Sequence, residues 1–298
     1  MENKISIFTP TYNRENTLID TYNSLKNQTN KDFVWIIIDD GSTDNTKKLV
    51  EQWENEKIIE INYYYKANGG KHTAYNFMLN KVETEYVLIA LDSDDTFTTD
   101  AIEFFYNCIN NNLKDDIRGV VALCAPDINK KFYKSEFDLN KLQHLSLKDA
   151  ICSDYFKRIG AIFLFETKLL NKYKYPIFEN EKFFTEIYTY MQMDFSMHWT
   201  DKIVCQRIFG NGGLTKEIYK LYIKNPKSFY LYNNLRYKES KKLFVRFKAL
   251  ILVDAFLLMC NKEFFSKNIK DFNKISFLPL GFILKKMIER KAGEYNNV

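Results

Sequence analysis

The 298-residue chain has little of several features that define other protein classes. Ten Gly and five Pro are too few for a fibrous or low-complexity protein, and 46% hydrophobic residues exclude a disordered one. The five Cys are odd in number, widely spaced and without a CxxC motif, so neither a disulfide framework nor a structural zinc site is expected. This cysteine usage predicts a reducing, cytoplasmic setting, and the amino terminus lacks the apolar segment of a signal peptide.

Two common phosphate-binding motifs are also absent. The chain has no GxGxxG after its first apolar run and no GxxxxGK[ST] anywhere, which excludes a standard dinucleotide fingerprint and a P-loop. Charge is unevenly distributed: from Lys216 onward 18 Lys and Arg stand against 7 Asp and Glu, whereas the preceding part holds 25 against 31. The acidic front part argues against a nucleic-acid partner.

Short apolar, β-branched runs alternate with helical patterns through the first half of the chain. The predicted strands are residues 5–9, 33–38, 58–65, 86–91 and 120–125. Continuous apolar strands alternating with helices are typical of a parallel α/β sheet with helices on both faces. Two acidic loops, residues 39–44 and 92–95, follow such strands. They are therefore expected at the carboxyl edge of the sheet, where such folds bind ligands.

The second acidic loop carries Asp92, Asp94 and Asp95. Carboxylate oxygens are the ligands that Mg²⁺ or Mn²⁺ prefers, and such a cation would allow an acidic loop to bind phosphate. The alternative interpretation of either loop is an Asx-turn that caps the next helix, because Asp and Ser are common there for local reasons. Each loop taken alone leaves both interpretations open.

Four motifs in succession resemble those of family 2 glycosyltransferases, which are inverting enzymes of the GT-A fold. They are SIFTPTYN from Ser6, IIIDDGSTD from Ile36, NGGKHTAYN from Asn68 and LDSDD from Leu91. PIFENEKFFTE from Pro176 and NGGLT from Asn211 more weakly resemble segments of bacterial capsule and cell-surface polysaccharide transferases.

The resemblance implies a fold and a domain organisation. The fold would be α/β GT-A, with a Rossmann-like, mostly parallel nucleotide-sugar-binding sheet, helices on both faces and a helical C-terminal extension. The catalytic domain would cover residues 1–215, divided into a nucleotide-sugar-binding half (1–125) and an acceptor-binding half (126–215). Residues 216–298 would form a basic helical region.

The resemblance also implies how the nucleoside is bound. Asp40 would accept a hydrogen bond from the nucleobase, while Thr9, Tyr12 and Arg14 would shape the nucleoside pocket.

For the rest of the donor, Asp92 would contact the ribose or the donor sugar, and Asp94 would bind Mn²⁺ or Mg²⁺. Asp95 would support the surroundings of the metal or the donor sugar. Three further residues precede a helix, where glycine allows close backbone approach and a lysine reaches the base or a phosphate: Asn68, Gly69 and Lys71. An ordinary turn between a strand and a helix is the alternative for these three.

An inverting transfer needs a general base for the acceptor hydroxyl. By the resemblance Glu186 takes this role, with Glu181 and Asp194 as alternatives and a solvated helix face as the structural interpretation. His72 lies in the third motif, where it would touch the donor. His198 stands beside an aromatic residue, so packing is favoured over metal binding.

These expectations describe an inverting glycosyltransferase that moves a sugar from a nucleoside-diphosphate sugar, UDP-linked by preference, to a glycan or lipid-linked glycan acceptor in bacterial surface polysaccharide synthesis. A sugar nucleotidyltransferase is the first alternative, although it usually has a Gly-rich loop where this chain has TPTYNR. A non-catalytic polysaccharide-binding protein is the second, and it would leave Asp40, Asp92 and Asp94 without a role.

The basic tail lacks the ~18 to 20 uncharged residues that a membrane span requires. Its Phe264, Phe265 and apolar segment 277–284, followed by Lys285 and Lys286, predict contact with the inner face of an anionic membrane. A helical cap on the catalytic domain or a homodimer contact is the alternative.

Overall fold

The computed structural model describes residues 5–89, 91–114, 116–125, 139–143, 145–153, 160–207, 217–269 and 278–294. The strands are β1 (Ile5–Thr11), β2 (Phe33–Asp39), β3 (Glu60–Tyr65), β4 (Tyr86–Ile89), β5 (Asp95–Phe97), β6 (Ile117–Ala125), β7 (Gly160–Glu166) and β8 (Ser196–Arg207). The helices are α1 (Leu18–Lys26), α2 (Thr46–Glu56), α3 (Lys71–Met78), α4 (Ala101–Asn112), α5 (Leu139–Leu142), α6 (Leu147–Cys152), α7 (Thr167–Leu170), α8 (Ile187–Tyr190), α9 (Ile218–Lys224), α10 (Pro226–Glu239), α11 (Leu243–Leu257), α12 (Lys262–Asn268) and α13 (Leu278–Glu294). The predicted alternation of strands and helices in the first half is confirmed.

The eight strands form one sheet in the order β3-β2-β1-β4-β7-β6-β8-β5. Strands β1 to β4 run parallel to one another, as their continuous apolar runs predict. Beyond β4 the sheet is mixed: β7 is antiparallel to β4 and β6, β8 is parallel to β6, and β5 is antiparallel to β8. The expectation of a mostly parallel sheet therefore holds for the first half of the sheet, and the second half brings antiparallel strands beside the acidic loop.

Stacked aromatic rings form part of the core on one face of this sheet. Tyr22 of α1 stacks on Trp53 of α2 at a centroid distance of 4.2 Å, and Trp35 of β2 lies 6.3 Å from Tyr22 and 6.0 Å from Trp53. Such pairs add about 0.5 to 1.5 kcal/mol each beyond the burial of apolar area. These aromatic residues are structural: they hold α1 and α2, the helices before and after β2, against that strand.

The chain divides into two compact units, Met1–Lys174 with Gln192–Phe209 and Tyr175–Met191 with Gly210–Val298. The first unit contains all eight strands. The second unit is helical and packs around a core that includes Phe229, Tyr230 and Phe256. No helix in the described ranges is long and apolar enough to cross a membrane.

Helices α11 and α13 of the second unit lie side by side. A Cβ on Gly281 of α13 would lie 2.5 Å from Cβ of Asp254, so glycine is what allows this close approach. Phe264, which the sequence placed at a membrane surface, is partly buried, and its ring contacts Tyr230 at a centroid distance of 5.3 Å. Phe265 also packs against this core, so that pair does not form an exposed apolar face.

Candidate active site

The loops that follow β1 and β2 are joined by hydrogen bonds. Asn13 N donates to Ser42 Oγ at 2.8 Å, and Thr43 N donates to Asn13 Oδ1 at 2.8 Å. Asn13 adopts a φ of 51°, a left-handed conformation that asparagine tolerates better than most residues. The DGST motif thus has the local turn role that its composition suggested. The same contacts hold the exposed side chains of Tyr12 and Arg14 on this edge of the sheet.

Asp40 is buried and holds the loop before α3. Its Oδ1 accepts hydrogen bonds from Lys66 Nζ at 2.5 Å and Gly69 N at 2.9 Å, and its Oδ2 accepts one from Gly70 N at 2.6 Å. Each carboxylate oxygen has two lone pairs, so Oδ2 retains an acceptor position for a further donor such as a nucleobase N–H. Lys66 was not predicted, although it lies two residues before the third sequence motif.

Gly41 brings two predicted loops against each other. Its φ of 89° lies in the region that glycine adopts without strain, and a Cβ there would lie 2.8 Å from Asn68 N. The residue after Asp40 must therefore lack a side chain for Asn68 and Gly69 to approach the β2 loop.

Thr9 and Asp39 support this edge from inside the sheet. Thr9 is fully buried, and its Oγ1 accepts a hydrogen bond from Trp35 Nε1 at 3.0 Å. Asp39 accepts hydrogen bonds from Ser42 N at 2.7 Å and Tyr63 Oη at 2.6 Å. Burial and this contact raise the pKa of Tyr63 well above its ordinary value. The Thr9 side chain is thus engaged in the core, which suits an indirect role in shaping the pocket.

Lys71, the first residue of α3, pairs with Asp92 of the acidic loop. Lys71 Nζ lies 2.5 Å from Asp92 Oδ1. Burial acts to raise the pKa of Asp92, but the positive charges of Lys71, Arg207 and Arg14 outweigh it and hold the pKa below its ordinary value. Asp92 is therefore ionised at neutral pH, and the influence of Arg14 shows that the β1 loop faces the same region.

Arg207 pairs with Asp95, which lies opposite it where β8 pairs with β5. Arg207 Nη2 lies 3.2 Å from Asp95 Oδ2 and 3.9 Å from Asp92 Oδ2. Burial raises the pKa of Asp95 to about 6, even though the guanidinium opposes this shift. Arg207 was not predicted either. It stands outside every quoted motif, and its position depends on an antiparallel pairing that a three-residue strand does not reveal in sequence.

Asp94 lies between these two ion-paired aspartates and is half-buried. Over the ranges that the structure describes, no hydrogen bond or ion pair engages its carboxylate. An unpaired, partly accessible carboxylate after a buried strand fits a hard divalent cation whose remaining ligands come from phosphate and water. This donor set agrees with the predicted Mn²⁺ or Mg²⁺ site.

A separate buried cluster lies nearby. Among the described His, Cys, Asp and Glu residues, Asp95, Cys124 and Cys205 are the one group of three whose ligand atoms all lie within 4.8 Å of one another. Burial raises the pKa of Cys205 well above its ordinary value, which keeps the thiol protonated. This cluster is not the predicted metal site. His198 of β8, which is in register with Val120 of β6, is not part of the cluster.

The three base candidates have different surroundings. Glu181 is buried, and its carboxylate accepts hydrogen bonds from Lys227 N and Ser228 N, both at 2.8 Å, and from Ser228 Oγ at 2.6 Å. Glu181 therefore caps the amino terminus of α10. Glu186 is half-buried at the N-cap position of α8, and the exposed Asp194 accepts a hydrogen bond from Tyr173 Oη at 3.3 Å.

His72 of α3 is buried among residues of the third motif. Burial lowers its pKa to about 4, although the charge of Asp40 opposes this shift. Its imidazole is therefore neutral near pH 7. The weaker motif from Asn211 lies outside the described residues.

Residues 6–174, more than half of the chain, match the family model for glycosyl transferase family 2. The chain belongs to this family. The matched region contains the four motifs with Asp40, Asp92, Asp94 and Asp95, whereas the three base candidates lie beyond it.

Curated relatives of the chain include a glucosyltransferase and a teichoic acid polymerase. The chain is 26% identical over 238 residues to the GalNAc(5)-diNAcBac-PP-undecaprenol beta-1,3-glucosyltransferase of Campylobacter jejuni, with 74% of this chain and 71% of that protein covered. It is 28% identical over 183 residues to the teichoic acid poly(glycerol phosphate) polymerase of Staphylococcus epidermidis, with 60% of this chain and 24% of that protein covered. The chain thus spans about a quarter of the length of that polymerase.

Solved structures share the fold. TarS 1-349 of S. aureus in complex with UDP-GlcNAc aligns with a TM-score of 0.57 and 19% identity over 91% of this chain and 76% of that one. The mannosyltransferase PcManGT of Pyrobaculum calidifontis, in complex with GDP-Man and Mn²⁺, aligns with a TM-score of 0.57 and 16% identity over 95% and 79%. The predicted GT-A fold class is confirmed.

Proposed function

We propose that this chain is a glycosyltransferase that moves a sugar from a nucleoside-diphosphate sugar, UDP-linked by preference, to a hydroxyl of a glycan or lipid-linked glycan with inversion at the anomeric carbon. The unpaired carboxylate of Asp94, between Asp92 and Asp95 that are each held by a cation, carries this proposal. Relatives crystallised with UDP-GlcNAc or with GDP-Man and Mn²⁺ support a nucleotide-sugar donor and a divalent cation.

The nucleoside end of the donor is assigned to the β1 and β2 loops. Asp40 presents the free acceptor position of Oδ2 to a base N–H, and the exposed Tyr12 and Arg14 border the ribose. Asn68 and Gly69 set the backbone that faces Asp40, so these two residues shape the base pocket by main-chain position.

The diphosphate end is assigned to the acidic loop and its cations. Asp94 would hold Mn²⁺ or Mg²⁺, which when bound neutralises the charge that builds on the leaving diphosphate. Lys71 and Arg207 neutralise Asp92 and Asp95 in this structure. A donor diphosphate competes with those carboxylates for the two cations, so both side chains would contact phosphate oxygens during the reaction.

Glu186 is proposed as the general base that removes the acceptor proton, and Asp194 is the alternative. Glu181 is unsuited to this role because three donors already occupy its carboxylate. A base hydrogen-bonded in this way would have to break the cap of α10 before it could accept a proton.

The functional division at residues 215 and 216 is also part of this proposal, with a catalytic domain followed by a basic helical region. A lipid-linked acceptor would be met at the inner face of the membrane, where the basic region would hold the enzyme. Homodimer formation through the same region is the competing proposal.

A donor assay tests the proposed function. Radiolabelled UDP-sugars are incubated with the chain, Mn²⁺ and lipid-linked glycan acceptors, and label is followed into the glycan fraction. Transfer of label with release of UDP supports the proposal, release of pyrophosphate supports a nucleotidyltransferase, and binding of glycan without turnover supports a binding protein.

A further inference from the structure

The first two turns of α11 expose large apolar side chains. Leu243 is 80% exposed, Phe244 76% and Phe247 44%, whereas Ala249 in the next turn is fully buried. Exposed apolar residues are ordinary when scattered singly, but three within five residues of one helix form a patch that calls for a function.

Basic residues border this patch on both sides. At about 100° per residue, Leu243, Phe247 and Phe244 fall within an arc of about 100° on the helix surface. Arg246 lies on one flank of that arc and Lys248 on the other, and Lys241 and Lys242 directly precede the helix. The segment from 241 to 248 contains no acidic residue. An apolar arc with cations on either side is the pattern of a helix that lies in the interface of an anionic bilayer.

A second helix of the same unit, α13, also exposes apolar side chains. Leu280, Ile283 and Met287 of α13 are exposed at a helical spacing of three and four residues. Lys286 and Arg290 border them, and each pairs with a glutamate of the same helix: Lys286 with Glu289 at 3.3 Å and Arg290 with Glu294 at 3.2 Å. The packed second unit therefore leaves two apolar helix faces uncovered within its described residues.

We infer that the first two turns of α11 insert Leu243, Phe244 and Phe247 into the surface of an anionic phospholipid bilayer. The four neighbouring cations bind the lipid headgroups. A symmetric contact between two copies through this patch is disfavoured, because it would bring the positive charges of one copy near those of the other. The inference deepens the proposed function by locating its membrane contact, which the sequence had placed at Phe264, Phe265 and the apolar segment 277–284.

Vesicle flotation of the full chain tests this surface. Vesicles of phosphatidylglycerol and phosphatidylcholine should float the protein, vesicles of phosphatidylcholine alone should not, and added salt should weaken binding. Changing Leu243, Phe244 and Phe247 together to Ser should lower partitioning at least tenfold in total. Each side chain that is fully inserted should account for about a tenfold loss. Lys242→Glu with Arg246→Glu should lower it at least about fivefold for each charge.

Ile177→Ser provides the matched control, because Ile177 belongs to the same unit, is 64% exposed and lies outside the basic segment. It should leave partitioning unchanged. Phe244→Trp adds a direct probe, since the native Trp35, Trp53 and Trp199 are buried, and its emission should shift to shorter wavelength with anionic vesicles alone.

Equal partitioning of the triple Ser variant and the wild type would overturn the inference. It would also be overturned if light scattering without lipid showed a wild-type dimer that the triple Ser variant does not form, because a second copy would then cover the patch. These measurements use neither donor nor acceptor. An inactive enzyme that binds vesicles through this patch would therefore contradict the proposed function and leave the inference standing, and an active enzyme that ignores vesicles would do the reverse.

Discussion

Lys71 Nζ lies 2.5 Å from Asp92 Oδ1, so the first residue of α3 is tied to the acidic loop across the carboxyl edge of the sheet. The side chains are 40% and 35% exposed, and an ion pair of this exposure contributes at most about 1 kcal/mol to stability. The pair therefore matters less for folding stability than for the net charge at the proposed diphosphate site.

Replacing this lysine separates the two effects. Lys71→Met should change the melting temperature little and weaken UDP binding about tenfold or more, because a hydrogen bond to a charged phosphate is lost. Isothermal titration with UDP and Mn²⁺ measures the affinity. Lys47→Met, an exposed lysine paired with Glu51 on α2, is the control and should bind UDP normally. A lower melting temperature with unchanged affinity would show that the pair is structural.

Asp94→Asn tests the cation site. The variant keeps the shape of the side chain but removes the charge that a hard cation requires, so turnover should be lost while the fold survives. In a thermal-shift assay, stabilisation by UDP should depend on Mn²⁺ in the wild type and lose that dependence in the variant. Asp100→Asn, outside the acidic loop, serves as the control. Normal activity of Asp94→Asn, or activity of the wild type in excess EDTA, would contradict the metal role.

Glu186 and Glu181 should respond differently to the same substitution. Glu186→Gln should preserve donor binding and lower kcat by roughly 10² to 10⁴, because general-base catalysis is removed. Glu181→Gln should lower the free energy of unfolding by about 2 kcal/mol, because the buried cap of α10 loses its charge. Denaturant unfolding and single-turnover kinetics measure both effects.

NMR of the product anomer completes this test. Inversion is expected with the wild type, and retention would reject a single displacement. A normal kcat in Glu186→Gln would transfer the role of base to Asp194.

His72 should make stability depend on pH. Its native pKa of about 4 lies below the ordinary value of 6.5, so between these pH values the unfolded chain binds a proton that the native state does not. Stability from this group is therefore complete above pH 6.5 and falls with decreasing pH by about 1.4 kcal/mol per unit, to a total of about 3 kcal/mol.

The contribution of His72 is measured as a difference between variants. Asp95, with its pKa raised to about 6, acts in the opposite direction over part of the same range. Urea unfolding of the wild type and of His72→Gln between pH 4 and 7.5 isolates the histidine, since the stability advantage of the wild type should shrink as pH falls. An advantage that does not vary with pH would show that His72 can be protonated in the native state.

The sequence predicted the parts of the fold that depend on local pattern. Strands β1, β2 and β4 are continuous apolar runs, and the loops after them contain the Asp, Gly and Ser residues that turns require, so both their existence and their shared edge were predictable. Strand β5 was not predicted, because three residues are too few to show a period; its first residue, Asp95, was noted only as the end of a motif.

The missed site residues act over distances that no local pattern records. Lys66 and Arg207 reach the site through pairings formed only when the sheet assembles. Glu181 was weighed as a base because its residue type suits proton transfer. Its capping of Lys227 and Ser228 spans more than forty positions in the sequence.

The capping of α10 by Glu181 also limits how this chain can be shortened. A gene ended after residue 215 would still encode the segment Tyr175–Met191 but none of the helices that this segment packs with. Glu181 would then lose all three of its hydrogen-bond donors, and Phe183, which stacks on Phe229 at 5.6 Å, would lose its partner ring. The truncated product would carry an orphaned carboxylate beside uncovered aromatic surface in the middle of its sequence, which makes aggregation during expression the foreseeable result. The segment Tyr175–Met191 therefore depends for its packing on helices that are synthesised well after it.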